Sequence, residues 1–347
     1  MGFGHYERLL LNHYFSEYPE QLDAANVVYS GRGAIGSDLT ISIKQSVLGY
    51  SIQRHTRLPW GIASNLFSIS LANAGIVHSL SMDFPIPPKI PSIITVHDIP
   101  PYHFTDEGVL PLWSRNLLNS VSLIHVPSEF SKRELIVHLD ADEAKIHVIP
   151  YGLESEVFNN NVDVLSSENM KRIGLPDHYI LFAAGASQRK NLANLLSAWS
   201  KVQEKYPDVQ LILAGPNRVN EILSKHPKCN AKYIGYLNRQ DLPRAMKSSL
   251  FVVCPSIYEG FGLPPLEALA CGVPVLTTEL GAIPEVVGEA ALMCPTGTVD
   301  DLVSGIQTLL DNPILLEKLR AKGPDQASRF SWTNHVTSLH KLYKDLI

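Results

Sequence analysis

Short apolar runs alternate with stretches of helical periodicity along the whole chain. In the first half, Val27–Tyr29, Ile93–Val96, Leu123–Val126 and Ile146–Ile149 predict strands. In the second half, Tyr179–Ala184, Val209–Leu213, Leu250–Cys254 and Val273–Leu276 do the same. Unbroken runs of this kind suit strands buried on both faces. Leu192, Leu195, Leu196, Trp199 and Val202 recur at helical spacing, as do Trp332, Val336, Leu339, Leu342 and Tyr343. Strands alternating with helices predict parallel sheets with helices on both faces. The polar stretch Glu154–Asn169, centred on Asn159-Asn160-Asn161, reads as a linker between two α/β domains, and Pro324–Phe330 as a second crossing.

Two strand-to-helix loops carry candidate chemistry. Glu259 and Glu267 bracket Gly260-Phe261-Gly262-Leu263-Pro264-Pro265-Leu266, in which either proline suits a first helical turn. The N–H groups of such a helix start can meet a phosphate or a sugar oxygen, and carboxylates can accept bonds from hydroxyls. Taken alone, the same residues also fit a plain loop followed by a glutamate that compensates the helix dipole. The second loop, Gly185-Ala-Ser-Gln-Arg189-Lys190-Asn191, places two cations at a helix start, where the dipole disfavours them. A bound anion would relieve that conflict, with arginine gripping phosphate bidentately and lysine as a point charge. A solvated basic turn is the competing reading.

Together with Thr95-Val-His97-Asp98, Val126-Pro-Ser128-Glu-Phe-Ser131-Lys132, Ile149-Pro-Tyr-Gly152 and Phe330-Ser-Trp332, these loops resemble the retaining glycosyltransferases of family 4 in kind and in order. The resemblance implies the GT-B fold: two facing Rossmann-like α/β domains with parallel sheets. Residues 1–153 would form the acceptor-side domain, 154–330 the nucleotide-sugar domain, and 331–347 a helix returning to the first domain. Members of the family open with a strand before their glycine-rich loop. This sequence starts at what resembles that loop, Gly2-Phe-Gly4-His5-Tyr6, so the opening strand is expected to be missing.

The resemblance also implies roles. Arg189 and Lys190 would hold the leaving diphosphate, Glu259 the transferred hexose near its C3 or C4 hydroxyl, and Glu267 the ribose. The N–H groups of Phe261, Gly262 and Leu263 would complete the donor pocket, with Gly185 and Gly260 in its loops. His97 would contact the sugar from the opposite domain, and Gly4 would face acceptor and diphosphate. Retention would follow from same-face attack, the leaving phosphate taking the acceptor's proton, so that neither a metal nor another cofactor is needed. Resemblance around Leu58-Pro-Trp60 and Gly262-Leu-Pro-Pro265 favours mannose, hence GDP-mannose as co-substrate, with a glycan or lipid-linked acceptor of polysaccharide or O-antigen type. A sugar-nucleotide epimerase of the same fold, or a non-catalytic subunit that binds sugar nucleotides, would use a related pocket.

Composition narrows this further. The 347 residues suffice for two ordinary domains, and a net charge of −5 argues against nucleic acid as a partner. No apolar run approaches the ~20 residues of a membrane span, so a cytoplasmic protein is expected, with peripheral contact at the inner membrane face left open through Trp113, Leu117 and Leu118. The four cysteines match neither zinc nor redox spacing and read as thiols in a reducing compartment. Gly31-Arg-Gly33-Ala-Ile-Gly36 spells a dinucleotide motif, but no acid lies between Leu39 and Met82 to take a ribose. Asp140-Ala-Asp142 matches the D-x-D metal pattern yet reads as a solvated turn, and Trp60 as packing.

Overall fold

The computed structural model describes residues 3–21, 27–28, 46–47, 75–82, 86 and 91–347. The Gly31–Gly36 motif, Leu58 and Trp60 lie outside the described residues. The first lobe begins with helix α1 (Phe3–Glu17) and a parallel strand pair, β1 (Val27–Val28) and β2 (Ser46–Val47). Its main sheet is parallel in the order β3-β4-β5-β6: Val77–Ser79, Ser92–Thr95, Leu123–Val126 and Ile146–Val148. Helices α2 (Pro100–His103), α3 (Ser114–Ser120) and α4 (Glu129–Leu139) connect these strands.

In the second lobe, α5 (Ser167–Ile173) leads into β7 (Tyr179–Ala183), α6 (Leu192–Val202), β8 (Gln210–Ala214), α7 (Arg218–Leu223), β9 (Lys232–Gly235), α8 (Asp241–Ser248) and β10 (Val252–Cys254). Then follow α9 (Leu263–Ala270), β11 (Val275–Thr278), α10 (Ile283–Val287), β12 (Leu292–Cys294), α11 (Val299–Leu310), α12 (Pro313–Ala327) and α13 (Trp332–Leu346). The six strands pair in parallel in the order β12-β11-β10-β7-β8-β9. Each face of β7 feeds a different core. Ile180 and Phe182 pack with Leu195, Leu196 and Trp199, whereas Leu181 packs with Leu266 and Leu269 on the other side. That division follows from the period of two along a strand.

The chain order reverses between β7 and β10, and in open α/β sheets such a switch point leaves a crevice beyond the carboxyl ends of its strands. Both loops singled out above leave from there: Gly185–Asn191 follows β7, and Glu259–Gly262 follows β10.

Helix α13 returns to pack on α1. Tyr6 Oη donates to His335 Nε2 (2.9 Å), His13 stacks on Trp332 at 5.1 Å, and Tyr14 Oη lies 2.9 Å from His340 Nδ1. The two crossings run side by side, Leu153 N donating to Phe330 O (3.0 Å) and His335 Nδ1 to Pro150 O (2.8 Å). Behind this contact a directed chain of bonds runs through neutral side chains. Tyr343 Oη donates to His78 Nδ1 (2.6 Å), His78 Nε2 to Thr95 Oγ1 (2.8 Å), Thr95 Oγ1 to His125 Nδ1 (2.9 Å), and His125 Nε2 to Ile149 O (2.9 Å). Burial, reinforced by neighbouring histidines, brings His78 down to about 3 and His125 to about 4, so both stay uncharged at neutral pH.

Several expectations are corrected. Gly4 lies in the first turn of α1 rather than in a glycine-rich loop. Pro324 lies inside α12, so the second crossing is confined to Ser328–Ser331. Leu117 and Leu118 are fully buried in the first-lobe core, which removes them from any membrane contact. The stretch Glu154–Asn169 is more than a polar linker, since Glu154 is buried and α5 begins at Ser167. Three edge or near-edge strands, β3, β9 and β12, carry no long apolar run and escaped the pattern. Asp140-Ala-Asp142 is a turn, with Asp140 in the left-handed region (φ 53°) and paired to Arg115 at the surface. Cys254, Cys271 and Cys294 are buried and Cys229 half-buried, all as free thiols.

At the crossing, a Cβ on Gly152 would stand 2.5 Å from the Trp332 backbone. Gly152→Ala is therefore expected to cost on the order of 1–3 kcal/mol, as overpacking against an immovable backbone does, and to lower the midpoint of thermal unfolding. An unchanged midpoint by circular dichroism would show that the crossing yields.

Candidate active site

The β7 loop tightens into a single turn at Gln188–Lys190 before α6, with Asn191 in the left-handed region (φ 59°). This turn brings both cations onto one carboxylate. Arg189 Nη1 donates to Glu259 Oε2 (2.8 Å) and Lys190 Nζ to Glu259 Oε1 (2.5 Å). Arg189 Nε reaches in the other direction, to Glu107 Oε1 of the first lobe (2.7 Å). All four side chains are largely withdrawn from water, between 10% and 20% exposed. Burial alone would push the Glu259 carboxyl up, but Lys190 and Arg189 outweigh it and hold the group at about 2.

Asp98 faces the same charges from the first lobe. Burial raises it to about 6; Arg189 pulls it down, while Glu259 and Glu107 push it up. With three carboxylates near two cations, the least well paired keeps its proton longest. Asp106, beside Glu107, accepts from Gln188 N (2.9 Å) and Arg218 (3.3 Å), so two adjacent first-lobe acids hold the basic turn.

Gly260 sits where the lobes come closest. A Cβ there would lie 2.3 Å from His97 O and 2.6 Å from the Asp98 Cβ. Ser128 Oγ donates to Gly260 O (2.6 Å), and Ser131 Oγ lies 3.1 Å from the Gly260 and His97 carbonyls. The N–H groups of Glu129 and Phe130, at the start of α4, each donate to the Glu285 carboxylate of the second lobe (2.8 Å). A helix N-terminus meeting a carboxylate is a favourable pairing.

The remaining predicted residues divide into two groups. Gly185 has open space around it, and a Cβ there would meet nothing within 4 Å. Gly262 starts α9, followed by Leu263 and the prolines, and the first N–H groups of that helix have no partner within it. The Phe261 ring, by contrast, is core, packed on Tyr151 (5.2 Å) and Phe330 (5.5 Å), so only its backbone is available to a ligand. His97 also turns inward. Its Nε2 donates to Leu80 O (3.1 Å), its Nδ1 accepts from Tyr151 Oη, and Tyr6 stands edge-on at 4.9 Å. Burial, with His125 adding to it, lowers this imidazole to about 3, so it is neutral at physiological pH.

Glu267 belongs to a separate cluster. Burial raises its carboxyl well above the usual carboxylate range, with Arg239 among the charges that oppose the rise, and Arg239 is itself ion-paired with the buried Glu154. Arg8 of α1 acts on Arg239 from the first lobe. Sequence reasoning named Asp98 only within the motif around His97 and Glu154 only as the start of a linker, and did not reach Glu107 or Arg239. For Asp98, its place next to His97 was the available signal; for the others there was none, because their partners are remote in sequence.

Residues 27–157 match the model described as Glycosyltransferase Family 4, and residues 166–326 match Glycosyl transferases group 1. The chain is 30% identical over 273 residues to O-antigen chain mannosyltransferase B of Escherichia coli, an alignment covering 73% of this chain and 70% of that one. The chain belongs to glycosyltransferase family 4. A second relative, the serotype-specific mannosyltransferase WbdA of Escherichia coli, is 29% identical over 218 residues, and the alignment spans 27% of its length. Among solved structures, HepE of Anabaena in complex with UDP-glucose superposes with a TM-score of 0.76 at 19% identity, covering 97% of this chain and 95% of that one. Sucrose-phosphate synthase of Thermosynechococcus elongatus gives 0.70 at 18% identity, covering 95% and 92%. The chain thus has the GT-B fold and is a glycosyltransferase, similar to mannosyltransferases. Among the described residues, no helix is long and apolar enough to cross a membrane.

The low value of Glu259 has a testable consequence. A carboxyl depressed to about 2 from an ordinary 4.5 contributes stability above pH 4.5 that is lost as pH falls through 2, on the order of 3 kcal/mol. Asp98, raised to about 6, works in the opposite sense and costs stability above that pH. Glu259→Gln is therefore expected to lower the unfolding midpoint at pH 7, with the gap from wild type closing as pH falls from about 4.5 towards 2. A gap that stays constant with pH would refute the ion-pair account.

Proposed function

We propose that this glycosyltransferase is a retaining hexosyltransferase that moves mannose from GDP-mannose to a glycan or lipid-linked acceptor. The observation that carries the proposal is the convergence of Arg189, Lys190 and Glu259 at the switch point, beneath Asp98 and Glu107. Departure of a nucleoside diphosphate builds negative charge on phosphate and positive character on the sugar ring, and preorganised opposite charges stabilise each. Arg189 and Lys190 would take the phosphate charge, helped by the N–H groups of Gly262 and Leu263. Glu259, held ionised, would accept from the hexose C3 or C4 hydroxyl. Glu267 would accept from the ribose hydroxyls at the other end, where Arg239 acts on it.

Two cations replace the divalent ion that diphosphate chemistry often uses, so we propose turnover without metal. His97, neutral and with both ring nitrogens engaged by Leu80 and Tyr151, would line the cleft near the sugar rather than act as an acid. Attack on the same face as departure would retain the anomeric configuration, and the leaving phosphate oxygen would receive the acceptor's proton. Mannose is favoured because the Escherichia coli relatives are mannosyltransferases; the UDP-glucose bound by HepE makes the uridine series the competing donor. The proposed setting is the cytoplasm, with contact at the inner membrane face made by Val109 and Leu112, which are 88% and 91% exposed. Val109→Asp with Leu112→Asp would then abolish co-flotation with anionic liposomes; unaltered co-flotation, or none by the wild type, would sink that contact.

The reading is tested by incubating the protein with GDP-mannose and UDP-glucose, with and without a mannose-terminated glycan. Acceptor-dependent product with unchanged anomeric configuration is expected; acceptor-free isomerisation would favour an epimerase. Arg189→Ala with Lys190→Ala should reduce kcat on the order of 100-fold or more, as loss of oxyanion-type stabilisation does. EDTA should leave turnover unchanged, and a loss restored by magnesium or manganese would overturn the metal-free proposal. Donor affinity should rise with pH well above the usual carboxylate range, by at most tenfold per unit, because Glu267, its carboxyl raised by burial, must release its proton before accepting two hydroxyls. Glu267→Gln should flatten that profile, and an unchanged profile in the variant would remove the ribose role.

A further inference from the structure

Outside the donor pocket, α2 and α4 bring together a second group of ligating side chains. Glu134 and His138 stand one turn apart on α4, with Glu134 Oε1 3.4 Å from His138 Nε2. His103, the last residue of α2, places its Nε2 2.5 Å from Glu134 Oε2. The ligating atoms of all three lie within 4.8 Å of one another. A tetrahedral ion about 2 Å from each ligand needs donor atoms roughly 3.3 Å apart, so a small closure of His138 and His103 around the Glu134 carboxylate would suffice.

The surroundings restrain the donors. Tyr102 packs on His138 at 4.4 Å and Tyr258 on His103 at 5.2 Å, while the two imidazoles meet edge-on at 4.9 Å. Tyr258 Oη donates to Glu134 Oε2 (3.0 Å) and accepts from Ile99 N (3.2 Å), so the carboxylate has a partner that fixes its orientation. Groups that hold a ligand in this way typically alter metal affinity 10–100-fold when removed. The three ligating side chains keep between 13% and 30% of their surface exposed, which leaves an entry path and room for water as a fourth ligand.

We propose that His103, Glu134 and His138 form a binding site for a borderline divalent transition metal of the zinc class. Two imidazoles and one carboxylate match zinc's preference and suit magnesium or calcium poorly, since those ions favour all-oxygen shells. The ligands come from the first lobe, whereas Tyr258, which orients Glu134, belongs to the second lobe and immediately precedes Glu259. The bound ion would fix the carboxylate that Tyr258 contacts and so strengthen the contact between the lobes. The site stands apart from the donor assignment and takes no part in the transfer chemistry.

The experiment loads the full chain with excess zinc chloride, removes unbound metal by gel filtration and measures zinc per chain by plasma mass spectrometry. One equivalent is expected in wild type. His103→Ala and His138→Ala, both at partly exposed positions, should each weaken binding at least tenfold, and Tyr258→Phe by about tenfold. In parallel, cobalt(II) titration of wild type should give visible absorption bands of a low-symmetry nitrogen and oxygen site, lost on adding zinc. No retained zinc in wild type would overturn the proposal. So would one equivalent retained undiminished in both histidine variants, since the metal would then sit elsewhere, for instance on Cys229.

Discussion

Everything at the switch point depends on how two cations are neutralised at the start of a helix. Arg189 and Lys190 sit where the α6 dipole opposes them, in a crevice that water hardly reaches. Glu259 meets both, and Glu107 takes the free side of Arg189. The count of charges explains Asp98. With two positive and two negative groups already matched, a third carboxylate gains little from ionising, and burial lifts it to about 6. An entering diphosphate would bring negative charge of its own. Of the two present partners, Glu107 is the one attached to the opposite lobe, so its release would couple ligand entry to lobe movement.

At Gly260 the lobes meet through backbone and small polar side chains. Gly260 fits under His97 because it has no Cβ, and the Ser128 and Ser131 hydroxyls meet its carbonyl across the gap. The α4 N-terminus takes Glu285 from the far side. A short contact made by small groups fixes position at low entropy cost, since few rotamers are frozen.

The chain's local pattern disclosed the central strands and the two loops, because buried parallel strands are continuous apolar runs and helix starts carry glycine or proline. β7 with its Ile180, Leu181 and Phe182 is the clearest case. The pattern failed at β9, whose Lys232 is exposed, and at β12, because edge strands need not be apolar on both faces. It also misread Pro324, which sits in the last turn of a fifteen-residue helix whose other contacts outweigh one lost bond. Glu107 was beyond its reach in principle. Nothing about an acid in a turn signals a partner in another lobe, whereas Glu259 stood out by its spacing from Glu267. His97 was found for its position, yet its ring is committed to Leu80 and Tyr151, and only the folded arrangement discloses that.

The paired crossings govern how the molecule can move. One flexible crossing would act as a ball joint, free to swing and twist. Here two strands of chain lie side by side, bonded at Leu153 and Phe330, pinned by His335 on Pro150, and closed on Trp332 at Gly152. Two parallel straps resist torsion and bend together about one line, as a door does on its hinge. The two lobes then have a single direction in which to part, about the line of the two crossings.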